Sequence, residues 1–437
     1  MTNQPIAVFW FRRDLRLEDN VGLFHALNGK HPVVAIFIFD KEIIDSLKKD
    51  DPRVTFIHDT IRNMNTLLQN EYGSTIRTYY GKPTAIFNKL SHEYNIENVF
   101  SNHDYEPYAI NRDLSIKRLL EKNNIGFTSY KDQVIFETNE IVKDDGLPYK
   151  VYTPYSKKWM TALENNPIKF FRSQDLLKHL LSPLPENMVA LKDMSFETSP
   201  QKITPYNISN KIIDNYEATR NFPSVNGTSK IGPHLRFGTL SVRFMASKAL
   251  KNDNTTFLKE LIWREFFMQI LWHFPQTVTK SFKPQYENVK WRNNKREFEA
   301  WCEGKTGYPL VDAGMRELNQ TGFMHNRVRM LVGSFLCKHL LIDWRLGEAY
   351  FAEKLHDYEM SSNIGNWQWV AGCGVDASPY FRIFNPTTQI QKFDKSLAYI
   401  RKWVPDHQEL TYPVPIVEHK FARERCLDTY KTALNKN

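Results

Sequence analysis

The chain has 437 residues, 41% of them hydrophobic, and a formal net charge of +9 at pH 7. Its length favours two domains, and its apolar runs fall short of the roughly 18–20 residues that span a membrane. The N-terminus lacks a secretory-signal pattern, and the four cysteines show neither CxxC spacing nor a disulfide framework. We therefore expect a cytoplasmic protein with reduced thiols and no bound metal.

The first 130 residues alternate between apolar runs and helical periodicity. Ile6–Phe11 and Val33–Asp40 are continuous apolar runs of strand length, typical of buried parallel strands. Helical periodicity over 54–72 comes next, and TIRTYYG then has the pattern of a strand. A helix, a strand and a helix follow through KPTAIFNKLSHEYN, NVFSNHD and PYAINRDLSIKRLLEK, the last with Pro107 at its start. The pattern predicts a doubly wound, Rossmann-like parallel sheet over residues 1–132. FRRDLRLEDN stands after the first strand where a dinucleotide-binding fold would carry GxGxxG.

Residues 133–205 are rich in proline and polar residues, which predicts a long interdomain linker. Helical periodicity dominates from 206 to 437, so the second predicted domain is mostly α-helical. Eight of the ten tryptophans lie after residue 260, and an ordinary core has little use for so many indoles. We infer that the helical domain is built around a flat ligand. The net positive charge permits a polyanionic partner.

Two segments of the helical domain admit more than one interpretation. Gly227, Thr228, Ser229 and Lys230 could present amides and hydroxyls to phosphates, or they could form an ordinary turn. In KELIWREFF, a carboxyl, an indole and a guanidinium share one helix face. That face is either a solvated charge pair beside a core ring or a base-stacking floor with a proton donor.

Two further segments carry paired residues. In HNRVRM, Asn326 and Met330 share a helix face, and His325 is more easily explained as a hydrogen-bonded structural residue than as a metal ligand. In NIGNWQWVAGCG, a helix would point Trp367 and Trp369 about 200° apart, whereas a strand would place both rings on one face.

Taken together, FWFRRDLRLEDN, KELIWREFF, HNRVRM, NIGNWQWVAGCG and IRKWVPD resemble the DNA photolyase/cryptochrome family. The resemblance runs from residue 9 to residue 406, is densest over 216–406, and is strongest to class I cyclobutane pyrimidine dimer photolyases. It implies an N-terminal antenna-chromophore domain and a C-terminal helical domain that binds FAD and DNA lesions. It also implies that the two indoles lie on a helix and serve different roles.

The resemblance implies a role for individual residues around the FAD. The family's phosphate-side loop is matched by Tyr216, Thr228, Ser229, Lys230 and Ile231. The ion pair beside the flavin ring is matched by Arg329 and Asp357, and the residue facing flavin N5 is matched by Asn363. Asparagine at that position is typical of photolyases, whereas plant-type cryptochromes usually carry aspartate and animal ones cysteine.

Further residues match the substrate side of the family. The lesion pocket is matched by Glu260, Trp263, Asn326, Met330 and Trp369, with Glu260 and Asn326 also bordering the flavin and Glu260 expected to be a protonated donor. The electron-transfer chain is matched by Trp367, Trp344 and Trp291. The DNA-facing surface is matched by Arg220, Arg264, Arg327 and Arg382.

The implied function is light-driven repair of cyclobutane pyrimidine dimers by electron transfer from excited reduced FAD to a flipped-out dimer. The alternative is a cryptochrome-like blue-light photoreceptor without repair activity. We expect a monomer whose partner is UV-damaged DNA. YEPYAINRD stands where folate-binding members carry Asn-Glu, so the resemblance favours a deazaflavin-type antenna, with residues 9–13 and 104–111 bordering its site.

Overall fold

The computed structural model describes residues 4–435, and their contacts separate them into two units. Unit 1 contains the residues up to Glu140 together with Met160–Pro205 and Ile231–Lys251. Unit 2 contains Ile141–Trp159, Tyr206–Lys230 and the residues from Asn252 onward. Residues predicted as a linker are therefore distributed between both units, and a short stretch predicted for the helical domain belongs to unit 1.

The strands, in chain order, are β1 (Ile6–Phe11), β2 (Val33–Asp40), β3 (Ile76–Gly81), β4 (Ile96–Asn102) and β5 (Gly126–Tyr130). The helices are α1 (Val21–Leu27), α2 (Lys41–Ile44), α3 (Pro52–Tyr72), α4 (Pro83–Glu93), α5 (Pro107–Lys122), α6 (Tyr152–Asn165), α7 (Asn210–Asp214), α8 (Tyr216–Thr219), α9 (Gly232–Arg236), α10 (Val242–Ala249), α11 (Thr256–His273), α12 (Lys295–Glu303), α13 (Pro309–Thr321), α14 (Asn326–Ser334), α15 (Trp344–Lys354), α16 (Met360–Ala371), α17 (Pro386–Phe393), α18 (Ala398–Trp403) and α19 (His419–Leu434).

Unit 1 is built on a five-stranded sheet in the order β3-β2-β1-β4-β5, with every pairing parallel. Every residue of β1 and β2 is buried, which explains why both strands read as unbroken apolar runs. Alternate residues of β1 enter different cores: Phe9 and Phe11 join one cluster, while Val8 and Trp10 join the other. Strand order reverses between β1 and β4, so the carboxyl ends of these strands border the crevice where doubly wound sheets bind ligands.

A buried carboxylate in unit 1 holds two arginines. Both oxygens of Asp132 accept hydrogen bonds from Arg16 at 2.7 Å, and Oδ1 accepts another from Arg243 at 2.8 Å. Burial raises the pKa of Asp132, but the two guanidiniums outweigh burial and lower it to about 2. Arg243 lies in the stretch after residue 230, so this network links that stretch to the rest of unit 1.

Unit 2 is helical, as predicted, and its core is rich in aromatic side chains. The NIGNWQWVAGCG segment forms α16, which ends where Gly372 adopts a left-handed conformation with φ of 90°. The helical interpretation of the two indoles is therefore confirmed. Within residues 4–435, no helix is long and apolar enough to cross a membrane.

Candidate functional site

The central feature of unit 2 is a cavity of about 430 Å³. Its walls come from α11, α14, α15 and α16 together with the loop between α15 and α16. The volume lies in the range of about 300–1,000 Å³ that is usual for small-molecule and cofactor sites. The predicted site residues that line it are Arg220, Glu260, Trp263, Arg264, Asn326, Arg329, Met330, Asp357, Asn363, Trp367 and Trp369.

One wall of the cavity carries an ion pair. Arg329 Nη2 lies 3.0 Å from Asp357 Oδ2, and Arg329 Nε donates to the Met324 carbonyl at 2.7 Å. The other carboxylate oxygen, Asp357 Oδ1, is buried and has no hydrogen-bond partner within residues 4–435. A buried acceptor left unpaired is destabilising, so this atom calls for a donor from a ligand.

A second polar group of the cavity is the amide of Asn363. Its Nδ2 donates to the Glu348 carbonyl at 3.1 Å and to Glu348 Oε1 at 2.9 Å. Its Oδ1 accepts no hydrogen bond from the described part of the chain, so that oxygen can serve a ligand N–H. Burial raises the pKa of Glu348, and the hydrogen bonds from Asn363 and Tyr358 offset part of that rise. Sequence reasoning missed Glu348, because one glutamate in an amphipathic helix carries no distinguishing signal.

The residues that match a lesion pocket lie on α11, α14 and α16. Asn326 begins α14 and Met330 follows one turn later, so both side chains reach the same cavity. Trp263 is half-buried, and Tyr152 stacks on one face of its ring at 3.7 Å with an interplanar angle of 5°. Trp263 also lines the cavity, so the part of the indole that this stack does not cover can contact a ligand.

Two predicted site residues have ionic partners that the sequence did not reveal. Arg220 Nη1 forms an ion pair with Glu260 Oε1, and the expected role of Glu260 as a proton donor remains a prediction. Arg264 was expected on a DNA-facing surface, but its side chain is only 13% exposed and lines the cavity 3.7 Å from Glu359 Oε2. Arg264 therefore lies in the lining of the cavity, and its role in binding DNA remains a prediction.

The other predicted DNA-contacting arginines come close together. Burial lowers the pKa of Arg327, and repulsion from Arg220 and Arg382 lowers it further. The Arg327 guanidinium lies 4.5 Å from the centre of the Phe393 ring, which holds it in place. A concentration of like charge at partly exposed positions favours binding of an anion.

His325 is a helix cap. Its Nδ1 accepts from the backbone N–H of Arg327 at 3.2 Å, the position expected of an N-cap side chain. Burial, followed by the charges of Arg329 and other nearby cations, lowers its pKa to about 4, so the imidazole is neutral near pH 7. The prediction of a hydrogen-bonded structural histidine is confirmed.

Residues matched to the phosphate-side loop lie outside the lining of this cavity. Tyr216 packs edge-on against Phe257 at 5.1 Å, and Lys230 has a left-handed backbone with φ of 55°. Thr228 and Ser229 precede it in unit 2, whereas Ile231 is the first residue of its segment in unit 1. Their role in binding a cofactor therefore remains a prediction.

The tryptophans of the predicted electron-transfer chain differ in exposure. Trp367 is 3% exposed and meets Phe351 edge-on at 4.9 Å. Trp344 is fully buried at the start of α15, and its Nε1 has no hydrogen-bond partner within residues 4–435. Trp291 is half-buried and lies 6.1 Å from the Tyr430 ring. Trp369 is half-buried, so the two indoles of α16 differ in burial, yet both line the cavity.

Comparisons with known proteins agree with this architecture. Residues 7–172 match the DNA photolyase family model, and residues 257–411 match the FAD binding domain of DNA photolyase. The chain is 36% identical to the deoxyribodipyrimidine photo-lyase of Agrobacterium fabrum, over 98% of this chain and 97% of that protein. It is 34% identical to the protein of the same name from Halobacterium salinarum, over 98% and 99% of the two chains.

Solved structures share the fold over nearly the full length. A class III photolyase from Agrobacterium tumefaciens has a TM-score of 0.87 at 32% identity and covers 100% of this chain and 99% of its own. The Sulfolobus tokodaii photolyase, solved with two FAD molecules, has a TM-score of 0.84 at 31% identity, with 98% and 99% covered. A Synechocystis cryptochrome has a TM-score of 0.84 at 26% identity, with 98% and 100% covered.

The sheet-based unit, the helical unit and its polar cavity define a two-unit protein whose helical part carries an FAD-binding domain. The chain belongs to the DNA photolyase family.

Proposed function

We propose that the protein repairs cyclobutane pyrimidine dimers in DNA in a light-driven reaction with FAD as its cofactor. The observation that carries this proposal is that one cavity holds both sets of residues. Arg329, Asp357 and Asn363 match the flavin side, while Trp263 and Trp369 match the lesion side. A cofactor and a substrate that must exchange an electron have to lie in such proximity. The relatives named deoxyribodipyrimidine photo-lyase support the same reaction.

FAD, when bound, supplies the light-absorbing reduced ring that donates an electron to the dimer. Three features of the chain fit this cofactor. The unpaired Asp357 Oδ1 can accept from a ring N–H, while Arg329 pairs with the other oxygen of that carboxylate. Asn363 offers its Oδ1 as an acceptor because its Nδ2 is held by Glu348. An amide in that place can accept a hydrogen bond without titrating, which suits an electron-rich ring.

The lesion side of the cavity supplies flat surfaces and hydrogen-bonding groups. Photolyases are among the enzymes known to extrude their target base from the helix, and an extruded dimer presents carbonyl and N–H groups at its edges. Asn326 can bond those edges, and Trp263 and Trp369 can contact the apolar faces. Glu260 stands paired with Arg220. We propose that Arg220 exchanges this carboxylate for a DNA phosphate when substrate binds, which would let Glu260 turn to the dimer.

Class I specificity is part of this proposal. It rests on the sequence resemblance of the lesion pocket, and the similar structure from Agrobacterium tumefaciens is a class III photolyase. We propose that Trp367, Trp344 and Trp291 provide successive oxidisable rings between the cavity and solvent. Trp367 and Trp344 are buried and Trp291 is half-buried, which supports an order that runs from the cavity to solvent.

Binding of DNA is proposed to rest on Arg220, Arg327 and Arg382. The proximity of Arg220 and Arg382 to Arg327 supports a phosphate-binding surface, and the affinity for DNA should fall as salt concentration rises. We propose that the protein acts as a monomer on UV-damaged DNA.

An antenna chromophore is proposed for unit 1 at the carboxyl ends of β1, β2 and β4. There the guanidiniums of Arg12 and Arg112 lie 4.9 Å and 4.8 Å from the centre of the Trp10 ring. Its Nε1 has no hydrogen-bond partner within residues 4–435, and Tyr108 donates to Asp40 beside it. The crevice at the switch point of a doubly wound sheet suits a planar ligand. The second FAD of the Sulfolobus tokodaii photolyase supports a flavin-type antenna over folate.

The proposal is tested by illuminating the chemically reduced protein with an oligothymidine that carries one cyclobutane dimer. Recovery of intact thymines in blue light, with none in the dark, is the expected result. The rival function is a photoreceptor, favoured by the similarity to the Synechocystis cryptochrome. A protein that binds and reduces flavin yet leaves the dimer intact in light would favour that rival.

A further inference from the structure

Tyr152, the first residue of α6, covers one face of Trp263. The two rings stack at 3.7 Å with an interplanar angle of 5°, and Phe266 and Phe267 lie 5.6 Å and 5.5 Å from Trp263. Tyr152 itself is buried. Trp263 is therefore enclosed by aromatic rings on its protein side, so its orientation toward the cavity is fixed by packing.

The same residue makes two polar contacts with different chain segments near the cavity. Its hydroxyl donates to the Lys259 carbonyl at 2.8 Å, on the helix α11 that carries Trp263. Its backbone N–H donates to Asp376 Oδ2 at 3.1 Å, in the loop that follows the helix α16 with Trp369. Tyr152 thus joins the α11 wall to the chain segment that leaves the α16 wall.

We propose that Tyr152 is a positioning residue for lesion recognition, which sets the separation and orientation of the Trp263 and Trp369 walls. This inference rests on the proposed function, because it assigns to Tyr152 the spacing of the two rings that receive the dimer. A rigid spacing favours a damaged, extruded pair of bases, whereas contacts to undamaged DNA depend on phosphates elsewhere. Tyr152 should therefore affect affinity for the dimer and leave affinity for undamaged DNA unchanged.

The position of Tyr152 relative to the site agrees with this role. Burial raises its pKa, and the negative charge of Glu260 raises it further, so the phenol stays protonated and donates throughout the working pH range. Because the contacts come from ring, hydroxyl and backbone, they can be removed one at a time.

The experiment uses flavin-loaded, full-length protein in four variants. Tyr152→Leu removes the stack and the hydroxyl, and Tyr152→Phe removes only the hydroxyl. Asp376→Gly removes the carboxylate and tolerates the φ of 45° at that position. The matched control is Tyr206→Leu, at a tyrosine that is 39% exposed and does not line the cavity.

For each variant, the dissociation constant is measured with an oligothymidine carrying one cyclobutane dimer and with the same undamaged oligonucleotide. Repair per absorbed photon at saturating substrate, flavin content and the melting temperature are measured alongside. We expect Tyr152→Leu to weaken dimer binding roughly tenfold, Tyr152→Phe less than about twofold, and Asp376→Gly roughly threefold. Undamaged affinity, flavin content and the control variant should stay at wild-type values.

Wild-type affinity of Tyr152→Leu for the dimer, or an equal loss for both oligonucleotides, would overturn the inference. If Tyr152→Leu does not fold, Asp376→Gly decides: a loss confined to the dimer supports the positioning role, and no loss overturns it. Failure of the proposed function looks different, because the wild-type protein itself would then show neither preference for the dimer nor repair in light.

Discussion

Lys338 offers a quantitative test of the helical unit, because it is a lysine with almost no exposure. It lies in a single π-helical turn, Phe335–His339, and its side chain is 1% exposed. Its Nζ donates to the carbonyl of Arg382 at 2.8 Å, in the loop that carries a proposed DNA contact. Replacing Lys338 by methionine keeps most of the volume and removes the titratable group.

The size of the effect follows from the pKa. Burial, followed by the charge of Arg382, lowers the pKa of Lys338 from 10.5 to about 8, while the surrounding thiols of Cys337, Cys373 and Cys426 oppose the shift. The unfolded chain therefore binds more protons than the folded one between about pH 8 and pH 10.5, so stability rises with pH in this window. One pH unit corresponds to about 1.4 kcal/mol. The contribution of Lys338 to the free energy of unfolding should therefore rise by about 2 kcal/mol between pH 8 and pH 9.5.

The assay is urea unfolding of wild type and Lys338→Met at pH 7, 8 and 9.5. Thiol titration also changes stability in this range, but it is common to both proteins and cancels in their difference. The difference in unfolding free energy should change by about 2 kcal/mol in favour of wild type from pH 8 to 9.5 and little from pH 7 to 8. Lys295→Met, at a lysine whose side chain is 88% exposed, should show no such change. A difference that is flat with pH would refute the assignment of a buried, partly deprotonated amine.

Three further predictions concern the site. If the Arg382 guanidinium neutralises one phosphate, Arg382→Ala should reduce the slope of log DNA affinity against log salt concentration by about 0.9. An unchanged slope would show that Arg382 does not contact DNA phosphate. Gly347→Ala would place a Cβ 2.2 Å from Trp367 Cη2, so it should lower the free energy of unfolding by about 1–3 kcal/mol and slow light-driven flavin reduction. Photoreduction at the wild-type rate would show that the Trp367 ring need not be fixed. Asn363→Ala removes two hydrogen bonds to half-buried Glu348, so it should cost about 1–3 kcal/mol and lower repair yield more than dimer affinity; a selective loss of affinity would contradict a role beside the flavin.

The strands that sequence reasoning located were those with an unmistakable local pattern. β1 and β2 have the predicted bounds because both are buried on two faces and carry continuous apolar runs. β5 was missed because GFTSY is a partly exposed edge strand without an apolar run. α6 was missed because its residues lie in a stretch whose prolines and polar residues indicated a linker.

The cavity depends on tertiary contacts that a sequence pattern does not specify. The resemblance identified Arg329 and Asp357, and the structure forms their ion pair across 28 positions of sequence. It could not show that Glu260 is held by Arg220, because that pair joins α11 to the residue after α8. Tyr152 was likewise hidden, since nothing in its neighbourhood distinguishes a tyrosine that stacks on Trp263 from one that packs in a core.

The most direct test of the central claim is the fluorescence of the reduced flavin during titration with an oligonucleotide. In the proposed arrangement, a single cavity brings the dimer beside the flavin. An oligothymidine carrying one cyclobutane dimer should therefore quench this fluorescence, whereas undamaged oligothymidine should not. The quenching should disappear once blue light has repaired the dimer. Equal fluorescence with damaged and undamaged DNA, at concentrations where both are bound, would contradict a shared cavity for flavin and lesion.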